Sequence, residues 1–100
     1  MALVVICLSG KALGAITISI DYSLDSAGLF SDGDGAAKKA ALEAARDVLE
    51  GIMSDSIAAI TPGGVNTWNA TGYHPGTGAL ITLATDLSVA ADTLVIYAGG

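Results

Sequence analysis

Between Ile16 and Leu24 the chain alternates apolar and polar side chains without a fault. Ile16, Ile18, Ile20, Tyr22 and Leu24 fall on one side, and Thr17, Ser19, Asp21 and Ser23 on the other. Successive side chains of a strand point to opposite faces, so this pattern predicts a strand with one buried face. Asp25 to Gly35 is polar and turn-rich, and a different period then takes over. Leu42, Ala45, Leu49 and Ile52 recur every three or four residues, with Ala41 and Val48 widening the stripe. That spacing predicts an amphipathic helix from about Ala36 to Met53, its apolar stripe turned to the core. Asp34 suits the N-cap, and Lys39–Glu43 and Arg46–Glu50 are i,i+4 ion pairs on the wet face. Gly51 weakens the last turn, so the helix either frays there or runs on through Ser56–Ile60. Thr61-Pro62-Gly63-Gly64 ends it.

Past that stop the period returns to two. Asn66–Tyr73 and Ala79–Thr85 read as strands joined by the turn His74-Pro75-Gly76-Thr77-Gly78, a hairpin arrangement. Thr93–Tyr97 is a short continuous apolar run, as expected of an interior strand with neighbours on both sides. The elements together predict an α+β fold: a mixed β-sheet of about four strands backed by one long amphipathic helix.

The first residues follow neither period. Ala2–Leu8 is a seven-residue apolar run, too short to span a bilayer, which takes roughly 20 residues. Small residues at Ala12 and Gly14 fit an export cleavage site after Gly14. The chain therefore divides into a signal peptide, residues 1–14, and an α+β portion, residues 15–100, that is secreted; the competing reading makes the run a buried first strand. Cys7 has Ile6 before it where a lipid-attachment cysteine has a small residue, which argues against lipidation.

Composition narrows the chemistry. Apolar residues make up 52% and charged residues 14%, which excludes a disordered tail. Residues 16–100 carry three bases (Lys38, Lys39, Arg46) against ten acids, so nucleic acid is not a partner. No segment is long and apolar enough to predict a transmembrane helix. Cys7 is the one cysteine, so there is no disulfide framework. Asp32-Gly33-Asp34-Gly35 invites a calcium reading, but a loop starting at Asp32 puts Ala36 and Ala37 at positions five and six. Setting Gly35 sixth puts Phe30 first and Ala41 twelfth, so a helix-capping turn is the expectation. His74 is the one histidine, whereas a catalytic zinc takes three protein ligands. No nucleophile elbow, triad or phosphate-cradling glycine loop occurs. The expected catalytic, cofactor-binding and metal residues are therefore none. Trp68 and Tyr73 are candidates for a ligand-binding patch or for packing, and Asn69-Ala70-Thr71 matches a glycosylation sequon.

Four stretches carry a resemblance: Ile18–Ser23, Ala40–Ala45, Ile60–Gly64 with Asn66-Thr67-Trp68, and Ala91–Leu94. With the element order they resemble the opening half of a zincin catalytic domain in exported bacterial metalloproteases. Ala91–Tyr97 is similar to the Ala-Asp-apolar strand of matrixin-type enzymes. The resemblance implies the front half of a zincin-like domain in a secreted zinc endopeptidase, serving as scaffold and inactive alone. Its zinc, H-E-x-x-H helix and glutamate base would lie beyond Gly100. The remainder of its own polypeptide would then be its partner, and a protein or peptide the parent's substrate. The alternative is a non-catalytic exported surface, adhesion or structural module in which Trp68 and Tyr73 touch a polymer.

Overall fold

The structure, a computed structural model, describes residues 15–100. The expectations for Ala2–Leu8, Cys7 and the cleavage site after Gly14 lie outside the described residues.

The period-two segment forms β1, Thr17–Asp21. Its alternation works as predicted: Ile16 and Ile18 are 1% and 3% exposed, while Thr17 and Ser19 face solvent. The strand stops before Leu24 because the chain turns. The Ser23 amide donates to the Asp21 carboxylate at 2.7 Å, and the Asp25 amide donates to the Tyr22 carbonyl at 3.0 Å. β1 pairs in parallel with the last strand, β4 (Thr93–Tyr97), in a register running from Thr17↔Thr93 to Asp21↔Tyr97.

The helix, α1, spans Gly35–Ile52. Asp34 occupies the N-cap position without making a side-chain capping bond. Its carboxylate is drawn instead to Lys38 at 2.8 Å, and that ammonium holds its pKa below the usual carboxylate value. The helix ends at Ile52, where Met53 turns extended, and does not run on to Ile60.

The face α1 presents to β1 is not the one its periodicity predicts. Lys39 Nζ sits 4.7 Å from the centre of the Tyr22 ring, and Glu43 accepts a 3.4 Å hydrogen bond from the Tyr22 hydroxyl. Glu50 accepts the backbone amide of Ile18. Residues 39, 43 and 50 lie on one side of a helix, and this polar side meets the strand. The apolar stripe looks outward: Val48 is 66% and Ile52 73% exposed. The physical reason is the strand edge. A strand amide shielded from water without a partner costs about 1–3 kcal/mol, and the Glu50 carboxylate satisfies the one at Ile18. The expected pairs Lys39–Glu43 and Arg46–Glu50 are therefore replaced. Glu43 and Glu50 serve β1 and Tyr22, Lys38 pairs with Asp34, and Arg46 reaches Asp47 at 2.8 Å.

β2 (Asn69–Tyr73) and β3 (Leu80–Thr85) form the antiparallel hairpin, with a bulge between Ala70 and Thr71. The turn closes through the His74 amide to Ala79 O at 2.8 Å and the Gly78 amide to His74 O at 2.8 Å. Gly78 takes φ +72°, a left-handed value open to glycine at no steric cost.

The class is α+β, with one helix and four strands, but the strands form two separate two-stranded sheets rather than one mixed sheet. β4 accordingly departs from the interior strand its sequence predicts. It has β1 on one side and no strand on the other among the described residues, and Ile96 is 43% exposed. A continuous apolar run marks a strand that needs cover; it does not say that the cover is present.

Candidate functional site

The two sheets face one another across an apolar groove of about 300 Å³. Trp68, Ala70 and Leu83 come from the hairpin side; Leu94, Val95 and Tyr97 come from β4. Ile57 and Ile60, from the stretch after α1, close one end. None of the lining side chains carries a formal charge.

Backbone ties made by two aspartates hold these walls. The Asp86 amide donates to Trp68 O at 2.7 Å, and its carboxylate accepts the Trp68 amide at 2.9 Å. The Trp68 indole Nε1 donates to Leu87 O at 3.0 Å, fixing the ring at the groove. Asp92 joins three segments. Its carbonyl accepts the Thr17 amide at 2.8 Å, its amide donates to Ile57 O at 2.9 Å, and its carboxylate accepts the Ile57 amide at 2.8 Å. Both residues take positive φ, 49° at Asp86 and 55° at Asp92. Aspartate is among the few non-glycine residues that visit this region readily.

The candidates singled out in the sequence do not converge. His74 lies in the hairpin turn, where its Nδ1 accepts the Gly76 amide at 3.1 Å. In the turn before α1, Asp32 accepts the Ser31 hydroxyl at 3.1 Å while Asp34 holds Lys38. Among the described residues no three His, Cys, Asp or Glu side chains gather in a way that could hold a metal ion. A catalytic zinc takes three such ligands, and one histidine with one ring nitrogen already engaged does not fit that need. Trp68 lines the groove, but Tyr73 does not, and it stands 73% exposed at the end of β2. The two aromatics thus share no wall of this groove. Asn69, head of the sequon, is exposed at the start of β2.

Trp68 was legible as a candidate. Ile57, Leu87 and Val89 were not, because they sit on irregular segments where no period marks them. Asp86 and Asp92 carried no local signal beyond a polar residue at a strand end, since their roles depend on positive φ and distant partners. No protein-family model matches the chain, and neither a curated protein nor a solved structure matches it. Among the described residues no helix is long and apolar enough to cross a membrane.

Proposed function

We propose that this chain is the scaffold portion of a secreted, zinc-dependent endopeptidase of zincin-like fold, inactive alone. The observation that carries the reading is the outward apolar stripe of α1. Val48, Leu49 and Ile52 are 66%, 45% and 73% exposed on one helix whose polar side is already engaged. A helix with an apolar stripe buries it against another element, so the stripe calls for further polypeptide. The parallel β1–β4 ladder supports the same reading, because parallel sheets occur almost only with both faces covered. The resemblance of Ala91–Tyr97 to a matrixin-type strand supplies the family. In this reading Asp92 ties that strand to β1 and to Ile57, and the metal ligands and general base belong to the rest of the polypeptide.

The zinc of such an enzyme would activate its bound water and polarise the scissile carbonyl. These residues would contribute position only: β1 and β4 as a rigid sheet, and α1 as its support. Export would follow from the apolar leader and the small residues before Ala15. The non-catalytic surface-module reading draws on Trp68 alone, since Tyr73 lies outside the groove.

The coding sequence supplies the test. An in-frame segment downstream of Gly100 that encodes a His-Glu-x-x-His helix is the expected result. A frame that continues into β-rich modules with no histidine pair at that spacing overturns the proposal.

A further inference from the structure

The loop before α1 holds two Asp-Gly pairs in tandem, Asp32-Gly33 and Asp34-Gly35, and the fold treats them differently. In such a pair the glycine amide nitrogen can attack the aspartate Cγ, because glycine has no side chain to hinder the approach. The attack requires the peptide between the two residues to turn toward the carboxyl group. At Asp34–Gly35 that peptide is pinned. Gly35 is buried at the start of α1, and its amide donates to Asp32 O at 2.8 Å. Asp34 O accepts the Ala37 and Lys38 amides at 3.1 and 3.2 Å. A Cβ on Gly35 would lie 2.6 Å from the Phe30 carbonyl carbon, so this backbone has little room to turn. Lys38 holds the Asp34 carboxylate itself at 2.8 Å. The first pair stands in the open. Asp32 and Gly33 are both exposed, and Gly33 sits at φ +56°, from which a glycine reaches other regions at little steric cost. Among the described residues the one bond this peptide makes is at Asp32 O, which accepts the Gly35 amide. The Asp32 carboxylate leans over Gly28 and accepts the Ser31 hydroxyl at 3.1 Å. An exposed side chain leaves such a rotamer within nanoseconds.

We propose that Asp32 is a site of spontaneous isomerisation to isoaspartate, and that the fold protects Asp34 from the same reaction. The Gly33 nitrogen forms a bond to Asp32 Cγ and gives up its proton, and the carboxyl oxygen leaves as water. The product is a five-membered succinimide ring. Water then adds to one of the two ring carbonyls and breaks its bond to nitrogen. Opening at Cγ restores aspartate. Opening at the α-carbonyl leaves the chain running through Cγ, with the α-carboxylate free. One water leaves and one returns, so the mass is unchanged and no oxidant, reductant or cofactor takes part. The isomerised chain gains one methylene in its backbone just ahead of α1. The carbonyl that accepts the Gly35 amide becomes a free carboxylate, which loosens the entry to the helix. The reaction uses no residue of the groove and is independent of the peptidase reading.

The test incubates the full chain at neutral pH, folded in one arm and in concentrated urea in the other. A purified protein isoaspartate methyltransferase with a labelled methyl donor then counts the free α-carboxylates. An endoproteinase that cuts before aspartate locates them, because isoaspartate resists it. In the folded chain, label should accumulate with time and cleavage before Asp32 should fade. The change at Asp32 should outrun that at Asp34 by about fivefold or more, since two further hydrogen bonds must break to turn the second peptide. In urea the two pairs should react at near-equal rates. Asp32→Glu should remove most of the label from the folded chain, because the larger ring closes far more slowly, while Asp34→Glu should leave it. Intact cleavage before Asp32, loss at Asp34 as fast as at Asp32, or the same preference for Asp32 in urea as in the folded chain overturns the proposal.

Discussion

Asp25 is the residue on which the polar loop before α1 turns. Its carboxylate accepts the amides of Leu29 and Phe30 at 2.8 Å each and of Gly100 at 3.1 Å, so one side chain ties that loop to a residue 75 positions away. The Phe30 amide is the largest influence holding its pKa below 3.8, with the Leu29 and Gly100 amides adding and desolvation opposing. A carboxylate whose pKa falls on folding stabilises the native state above its unfolded value, and that contribution is lost as pH drops through the folded value. Stability should therefore be level near neutral pH and decline below about pH 4. Asp25→Asn should flatten part of that decline and lower the urea midpoint at pH 7, which denaturation at a series of pH values will show. Two glycines make a sharper steric test, one beside Asp25 and one inside α1. A Cβ on Gly99 would sit 2.8 Å from the backbone of Leu24 and Asp25, whereas one on Gly51 meets nothing within 4 Å. Gly99→Ala should cost about 1–3 kcal/mol through forced backbone shifts. Gly51→Ala, inside α1, should stabilise by up to about 1 kcal/mol. Thermal melts of the two variants should move in opposite directions.

Among the elements, α1 separates what a pattern reveals from what it hides. Its start was legible to within one residue, because the 3.6-residue period acts locally; its end was left open between fraying at Gly51 and running on to Ile60, and falls at Ile52. Its orientation was not legible. A period tells which face is apolar, not which face finds a partner, and here the polar side wins a strand amide and a tyrosine ring. Glu50→Ala should cost about 1–2 kcal/mol, because it leaves the Ile18 amide without its charged acceptor. Val48→Lys, on the exposed stripe, should change stability by no more than about 0.5 kcal/mol. If the stripe were the packed face, the ranking of these two variants in chemical denaturation would reverse. The strands were legible for the opposite reason: β1, the hairpin and β4 each follow a period of two or a bounded apolar run. β4 was placed residue for residue at Thr93–Tyr97. Its apolar run already called for a neighbour on each side; which edge goes without one was not legible, because strand pairing is a non-local property that no window of sequence contains.

At the scale of the whole molecule, two small sheets and one helix leave much apolar surface uncovered, and the groove between the sheets follows from that. Only Ile16, Ile18 and Ala70 are buried apolar residues among those described. Part of each wall of the groove was legible, through Trp68 on one side and the apolar run of β4 on the other. The rest comes from irregular chain held by Asp86 and Asp92, whose ties to Trp68 and Ile57 span 18 and 35 residues. A surface so furnished suits the proposed scaffold role, and among the described residues no three His, Cys, Asp or Glu side chains gather in a way that could hold a metal ion. The decisive measurement pairs zinc content by atomic emission with cleavage of a quenched fluorescent peptide, on the purified hundred-residue chain. The scaffold account predicts far less than one zinc per chain and no cleavage above buffer. One tightly held zinc per chain together with chelator-sensitive hydrolysis would contradict it.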